Sequence, residues 1–293
     1  MIYLFLSILL NAYLGIAFVV LNKLKIDLFQ CIVYNYWTCV ITGSFFLGYF
    51  PLSINTLSSP WFLWAIMMGA LFISVFNIIA ISSVKAGVTV TQTANKLSMV
   101  IPVLFSFFLY REPISYLKMF GILIALLAVV FITYKKQDEN LQTSATQWLL
   151  PIILFISSGI IDTLTKYVER NFLITNNIAN SYLIAGFFVA ASFGTIYLVY
   201  TFIVGKRTFQ WKYLLSGIIL GIPNYFSIYF LVKALQHKGL NSCATIPINN
   251  IGVVFLVSLV GIFFFKEKLT KLNYLGLILS ILSILVIYLG DRA

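Results

Sequence analysis

The sequence predicts an all-α polytopic membrane protein with ten transmembrane helices in two inverted five-helix repeats. Three observations lead there. Of 293 residues, 61% are hydrophobic and 9% are charged, with a mean hydropathy of +1.01; a soluble domain carries a charged share of about 25%. Ten segments approach the ~20 apolar residues that a helix needs to cross a bilayer core of ~30 Å. One residue pattern also recurs at a constant spacing of 155 positions. So large an apolar share cannot be hidden behind a polar exterior in a water-soluble fold, and the same figures exclude disorder and disulfide scaffolds.

In order, the expected spans are 2–22, 28–50, 61–83, 87–109 and 114–134, then 147–168, 179–204, 212–235, 240–265 and 270–290. The first has no basic region before it and no small-residue cleavage site after it, and reads as a retained helix, not a removable signal peptide. The halves are 1–136 and 147–293, joined by a polar linker at 137–146. No soluble domain fits between spans, so function must reside in the helices. Cys31, Cys39 and Cys243 lie in or beside apolar segments without metal-ligand spacing and read as small hydrophobes.

The formal charge of +11 comes from 19 Lys and Arg against 8 Asp and Glu. In a soluble protein it would suggest nucleic acid. Here the basic residues cluster at the ends of apolar segments, which reads as anchoring at the membrane interface, with the lipid bilayer as partner and no nucleic acid.

The repeat is carried by Tyr110–Thr133 and Phe265–Tyr288. Arg111 aligns with Lys266, Glu112 with Glu267, Ser115 with Thr270, Gly121 with Gly276, and further upstream Asn95 with Asn250. Apolar matches are cheap in membrane segments. A basic–Glu pair followed nine residues later by Gly, twice at one offset, is not. An odd number of helices per repeat inserts the second copy from the opposite side, the arrangement of many secondary transporters.

These features resemble the drug/metabolite transporter superfamily, and within it the EamA-like members. Pro102, ten residues before Glu112, resembles the first-half pattern; the second half has Val257 at the matching place and Pro247 ten residues earlier, so the fourth and ninth helices are expected to bend at different depths. The resemblance implies export or exchange of a small polar metabolite, amino acid-like or an organic anion. It also implies a multi-pass protein of the cell (inner) membrane with cytoplasmic termini, as a monomer or weak homodimer. The positive-inside count runs the other way: with the N-terminus inside, 11 basic residues fall outside and 7 inside.

Ionisable groups within spans are functional hypotheses by default. Lys96 lies nine residues into the fourth span, roughly 14 Å along its axis, too deep for easy snorkelling. Thr89, Gln92, Asn95 and Lys96 form one polar stripe. On the sixth span Ser158, Asp162 and Lys166 share a face. Either Lys96 attracts a substrate carboxylate or phosphate while Asp162 holds an amine or exchanges protons, or the two form a buried ion pair. A Lys96 made less basic by burial would itself carry a coupling proton. Asn77, Asn224, Tyr225, Asn249 and Asn250 are further lining candidates, with interhelical hydrogen bonding as their simpler role. Glu112 and Glu267 read as structural caps or gate-side ion pairs, and Gly121 and Gly276 as sites of close helix packing. No catalytic residue, metal site or cofactor is expected: the single histidine, His237, is loop-adjacent, and the only neighbouring acids, Asp138 and Glu139, lie on the polar linker. The competing classes are a lipid-linked carrier flippase, which requires a cavity open sideways to lipid, and an intramembrane enzyme.

Overall fold

The structure, a computed structural model, describes residues 2–110, 115–134, 146–172, 176–235 and 242–290. Glu112 lies outside them, as does nearly all of the polar linker. The described chain forms α1 (Ile2–Lys23), α2 (Leu28–Leu47), a single turn α3 (Ile54–Leu57), α4 (Phe62–Lys85), α5 (Val88–Leu97), α6 (Val100–Tyr110), α7 (Tyr116–Thr133), α8 (Thr146–Phe172), α9 (Asn176–Ile203), α10 (Trp211–Leu235), α11 (Ser242–Phe263) and α12 (Lys271–Gly290).

All ten apolar segments are therefore helical. Six helices among the described residues are long and apolar enough to cross a membrane: those beginning at Ile2, Phe62, Leu149, Asn177, Trp211 and Lys271. The fourth expected span is not one helix. It ends as α5 at Leu97 and restarts as α6 at Val100. The cause is Pro102, which lacks the N–H that would reach the Ser98 carbonyl and whose ring crowds that oxygen. Ile101 N donates to the Ser98 carbonyl instead, at 2.9 Å, and the break leaves the proline in the first turn of α6, where no intrahelical donor is required.

Local signals set the helix ends. Asp27 caps α2 by accepting from Gln30 N, and Ser115 caps α7 by accepting from Lys118 N. Gly48, at φ +78°, closes α2 in the left-handed conformation.

The chain divides into two compact units, each drawing on both halves of the sequence. The first comprises Met1–Val19, Ile78–Ile160 and Phe226–Ala293. Its core joins Leu97, Val100, Ile122, Ala125, Ala128, Phe155, Ile284 and Ile287, all buried. Within it α7 runs antiparallel to α12: Ser115 Oγ at the start of α7 donates to the Gly290 carbonyl at the end of α12, 2.8 Å away. At the opposite end Asn273 Nδ2 donates to the carbonyls of Phe131, Ile132 and Tyr134 at 3.1, 2.9 and 2.8 Å. A Cβ on Gly121 would stand 2.9 Å from Ile287 N, and one on Gly276 2.5 Å from Ile132 N. Ile132 and Ile287 are themselves 155 residues apart, like the two glycines, so the contacts are reciprocal. α5 and α11 also pack together, as do α5 and α12.

The second unit comprises Val20–Asn77 and Ile161–Tyr225. Trp61, Ala65, Met68, Val168, Tyr182 and Ala185 form its core, and α2 packs along α9. Trp37 Nε1 donates to Thr195 Oγ1 at 2.9 Å across that pair. α10 approaches α2 closely because Gly217 and Gly221 present no side chain: a Cβ there would stand 3.0 Å from Cys31 O or 2.7 Å from Asn35 O.

Candidate functional site

Of the residues singled out by the sequence, Gln92, Asn95, Lys96, Asn249 and Asn250 belong to the first unit, and Asn77, Asp162, Asn224 and Tyr225 to the second.

In the first unit α5 is polar yet buried. Val88, Thr89, Val90, Thr91, Gln92, Thr93, Ala94 and Leu97 are all enclosed, so a helix that hydropathy alone would expose is surrounded by protein. Gln92 lies under Gly15 of α1, where any Cβ would overlap its amide. Asn95 and Lys96 are half-buried and precede the break directly. The Asn95 carbonyl accepts from Ser98 Oγ at 2.6 Å, satisfying an acceptor that the interrupted helix would leave free. Across from α5, Asn250 Nδ2 meets Met99 Sδ at 3.4 Å. Asn249 is buried, and its Oδ1 has no hydrogen-bond partner in the protein. The interrupted helix thus carries a half-buried cation next to its break, and α11, which packs on α5, brings the buried Asn249 and Asn250.

The start of α5 is held from elsewhere in the chain. Gly87 precedes it at φ +102° and supplies no capping side chain. Instead the Glu267 carboxylate accepts from Val88 N through Oε1 and from Thr89 N through Oε2, the latter at 3.2 Å. A carboxylate on two free amides at a helix N-terminus gains both the hydrogen bonds and the dipole interaction. Space for it exists because Gly87 and Gly261 lack side chains; a Cβ on either would stand 2.9 or 2.7 Å from a Glu267 oxygen. Glu267 therefore caps α5, 178 residues away, and not the helix it precedes. α12 has its own cap in Thr270, whose Oγ1 accepts from Asn273 N at 3.2 Å.

In the second unit Asn224 follows Pro223 in α10 and donates from Nδ2 to Asn35 Oδ1 at 3.2 Å. Cys39 Sγ lies 3.4 Å from the Gly221 carbonyl. Tyr225 packs over Gly43. Asn77 Nδ2 donates to the Ile73 carbonyl one turn back at 2.7 Å, so its amide serves its own helix. Asp162 is exposed on α8. Asp27 pairs with Arg207 at 2.7 Å, and Arg207 also lies over the Phe29 ring. A separate groove of ≈ 580 Å³ is walled by Trp61, Phe172, Asn171, Asn177 and Ser181. The sequence reading placed nothing there. It also passed over Asn35, whose role follows from the GIILG run at Gly217–Gly221, a close-approach signal for the facing helix. Among the described residues no three His, Cys, Asp or Glu side chains assemble as metal ligands would.

The helices define a polytopic, all-helical membrane protein. Comparison with known proteins extends this. No protein-family model matches the chain. An uncharacterized protein of Haemophilus influenzae is 30% identical, with the match covering 98% of this chain and 97% of that one. The chain belongs to the same family as that protein. A crystal structure superposes over 100% of this chain and 98% of its own, with a TM-score of 0.63 at 16% identity, which establishes a shared fold.

Proposed function

We propose that the protein is a secondary transporter of the drug/metabolite transporter superfamily, EamA-like in kind, which exports or exchanges a small polar metabolite by alternating access. The substrate is amino acid-like or an organic anion, drawn by Lys96, and the protein acts without catalytic residues or cofactor. Ten spans carry the activity: the six long apolar helices, together with α2, the α5–α6 pair, α7 and α11.

The observation that carries this reading is the reciprocal antiparallel pairing of α7 with α12, whose contacts repeat at the 155-residue offset of the sequence. An inverted repeat brings matching helices together in this way, and transporters built so place solute at interrupted helices near the midplane. The α5–α6 interruption beside Lys96 fits that role. Backbone freed within a membrane is tolerated where it meets protein or a water-lined cavity.

The test is a solute screen in proteoliposomes with and without an imposed pH gradient. Saturable uptake or counterflow of a small polar solute supports the reading, and dependence on the gradient identifies proton coupling. Movement of a lipid-linked carrier between leaflets, with no soluble substrate, would replace it with the flippase. Orientation is decided separately by labelling cysteines placed in the 137–146 linker of intact cells; protection of that linker would put it, and not the termini, on the cytoplasmic side.

A further inference from the structure

The two ends of the second unit differ in charge. One is made by the turn between α1 and α2 and by the 204–210 connection between α9 and α10. It carries Lys23, Lys25, Lys206, Arg207 and Lys212, and the acid among them is Asp27. The opposite end, where α8 stops and α9 starts, has Lys166 and Arg170 against Glu169.

Side chains fix the cationic end. Asp27 accepts from Gln30 N and from Gln30 Nε2, each at 3.2 Å. The same Nε2 donates to the Thr208 carbonyl at 3.2 Å, which ties the two connections together. Arg207 donates from Nε to Asp27 Oδ2 at 2.7 Å, and its guanidinium carbon stands 5.0 Å from the centre of the Phe29 ring. These two contacts hold the guanidinium, yet use only one of its nitrogens. Among the described residues Nη1 and Nη2 of Arg207 have no hydrogen-bond partner, and the side chain is 26% exposed.

Lys25 and Lys206 flank the Asp27–Arg207 pair, one from each connection, and both are exposed. Lys25 occupies the left-handed position that ends α1, at φ +56°, with its N–H on the Asn22 carbonyl and Ile26 N on the Leu21 carbonyl. Glycine is the usual residue there. Beside these cations Ile203, Val204, Phe209 and Trp211 are exposed, and the last two rings meet edge to face at 5.3 Å. Cations next to exposed tryptophan and aliphatic side chains match the headgroup boundary of a bilayer.

We propose that Arg207, Lys25 and Lys206 bind the phosphate of an anionic phospholipid, with its acyl chains along the exposed apolar residues beside them. The two Nη groups offer paired donors to two phosphate oxygens, which an ammonium group does not. The lysines supply charge that favours a headgroup with a net negative charge; a zwitterionic headgroup brings its own cation and gains less. Asp27 offsets one cation and leaves the others in surplus. The site is narrower than general interfacial anchoring, since it assigns one headgroup class to one end of one unit. It does not rest on the transport reading.

The full-length protein in mild detergent is titrated with short-chain phosphatidylglycerol, with phosphatidylcholine of equal chain length, and with inorganic phosphate at constant ionic strength. Bound lipid is counted by native mass spectrometry, and unchanged thermal unfolding establishes that each variant is folded. Phosphatidylglycerol should bind at least about tenfold more tightly than phosphatidylcholine. Arg207→Gln should weaken phosphatidylglycerol about tenfold and leave phosphatidylcholine unchanged, and Arg207→Lys should restore only part of the loss. Lys25→Gln combined with Lys206→Gln leaves the Asp27–Arg207 pair intact and should weaken phosphatidylglycerol about fivefold, so the site stays testable if Arg207→Gln fails to fold. Lys166→Gln with Arg170→Gln, at the opposite end, should change nothing. Equal affinity for the two lipids, or an equal loss from the Lys166 and Arg170 pair, would overturn the site. Displacement of phosphatidylglycerol by inorganic phosphate would overturn it as well, in favour of a site for a free anion.

Discussion

α5–α6 and α11 occupy corresponding places in the two halves of the sequence and belong to the same compact unit, yet one is broken and the other is continuous. Each contains a proline. Pro102 lies deep in its segment, and the chain stops at Leu97 and restarts at Val100 so that the proline falls in a first turn. Pro247 already sits within the first two turns of α11, which runs unbroken from Ser242 to Phe263. At the position matching Pro102, α11 has Val257, fully buried. In this pair the helix with the deep proline is the interrupted one, yet α10 runs unbroken through its own interior Pro223, so an interior proline permits a break and the surroundings of the segment complete it. The half with the interior proline also has the ionisable side chain beside the interruption; Ile251 stands where Lys96 would map.

The largest expected effect is on Lys96 itself. Lys96→Ala should lower solute flux in proteoliposomes at least ~100-fold, equivalent to about 2.7 kcal/mol of barrier, with insertion and thermal unfolding preserved. Wild-type flux would remove Lys96 from the mechanism and with it the significance of the broken half. If Asp162 serves only to neutralise Lys96, removing both charges should restore much of the activity.

Next comes the helix pair through which the halves match. Gly276→Ala places a methyl group 2.5 Å from Ile132 N and 3.0 Å from Ala128 O, both backbone atoms that cannot rotate aside. It should destabilise by about 1–3 kcal/mol, seen as a lower midpoint of thermal unfolding in detergent. Gly121→Ala also meets backbone, Ile287 N at 2.9 Å, besides Ile287 Cγ1 at 2.7 Å; that backbone approach is looser than the one at Gly276, so its loss should be smaller. Equal losses would show that the tighter backbone approach at Gly276 does not set the cost.

Glu267→Ala removes the cap on α5 and should cost about 1–2 kcal/mol, again read by thermal unfolding. Glu267→Gln keeps an acceptor and should cost less. The smallest effect belongs to Pro102→Ala: stability should stay within ~0.5 kcal/mol, because the Ser98 carbonyl that a restored amide would seek already accepts from Ile101 N. A marked rise in the unfolding midpoint would mean that the break is strained and that α5 and α6 fuse once the proline is gone.

Much of this architecture is visible in the residues alone. Hydropathy marks the helical segments, and six of the described helices are long and apolar enough to cross a membrane. The Glu-to-Gly spacing recurs at 155 residues in the sequence. Other features are invisible without the fold. Glu267 reads as belonging to the helix it precedes, since local sequence cannot show that two amides far back in the chain lie closer to its carboxylate. Asn273 appears unremarkable in α12 until its Nδ2 is found on three carbonyls at the end of α7. α5 is the sharpest case: the polar run Thr89–Lys96 is seen at once, but its enclosure depends on α1, α11 and the turn at Glu267.

The sequence by itself determined the solvent of this protein, its helical segments and their repetition, because transfer free energy and backbone hydrogen bonding act on each segment separately. Only the tertiary structure decided which amides Glu267 binds and which threonines are left without a protein partner. Those outcomes depend on atoms brought together from distant parts of the chain, and close packing, not local propensity, chooses among them.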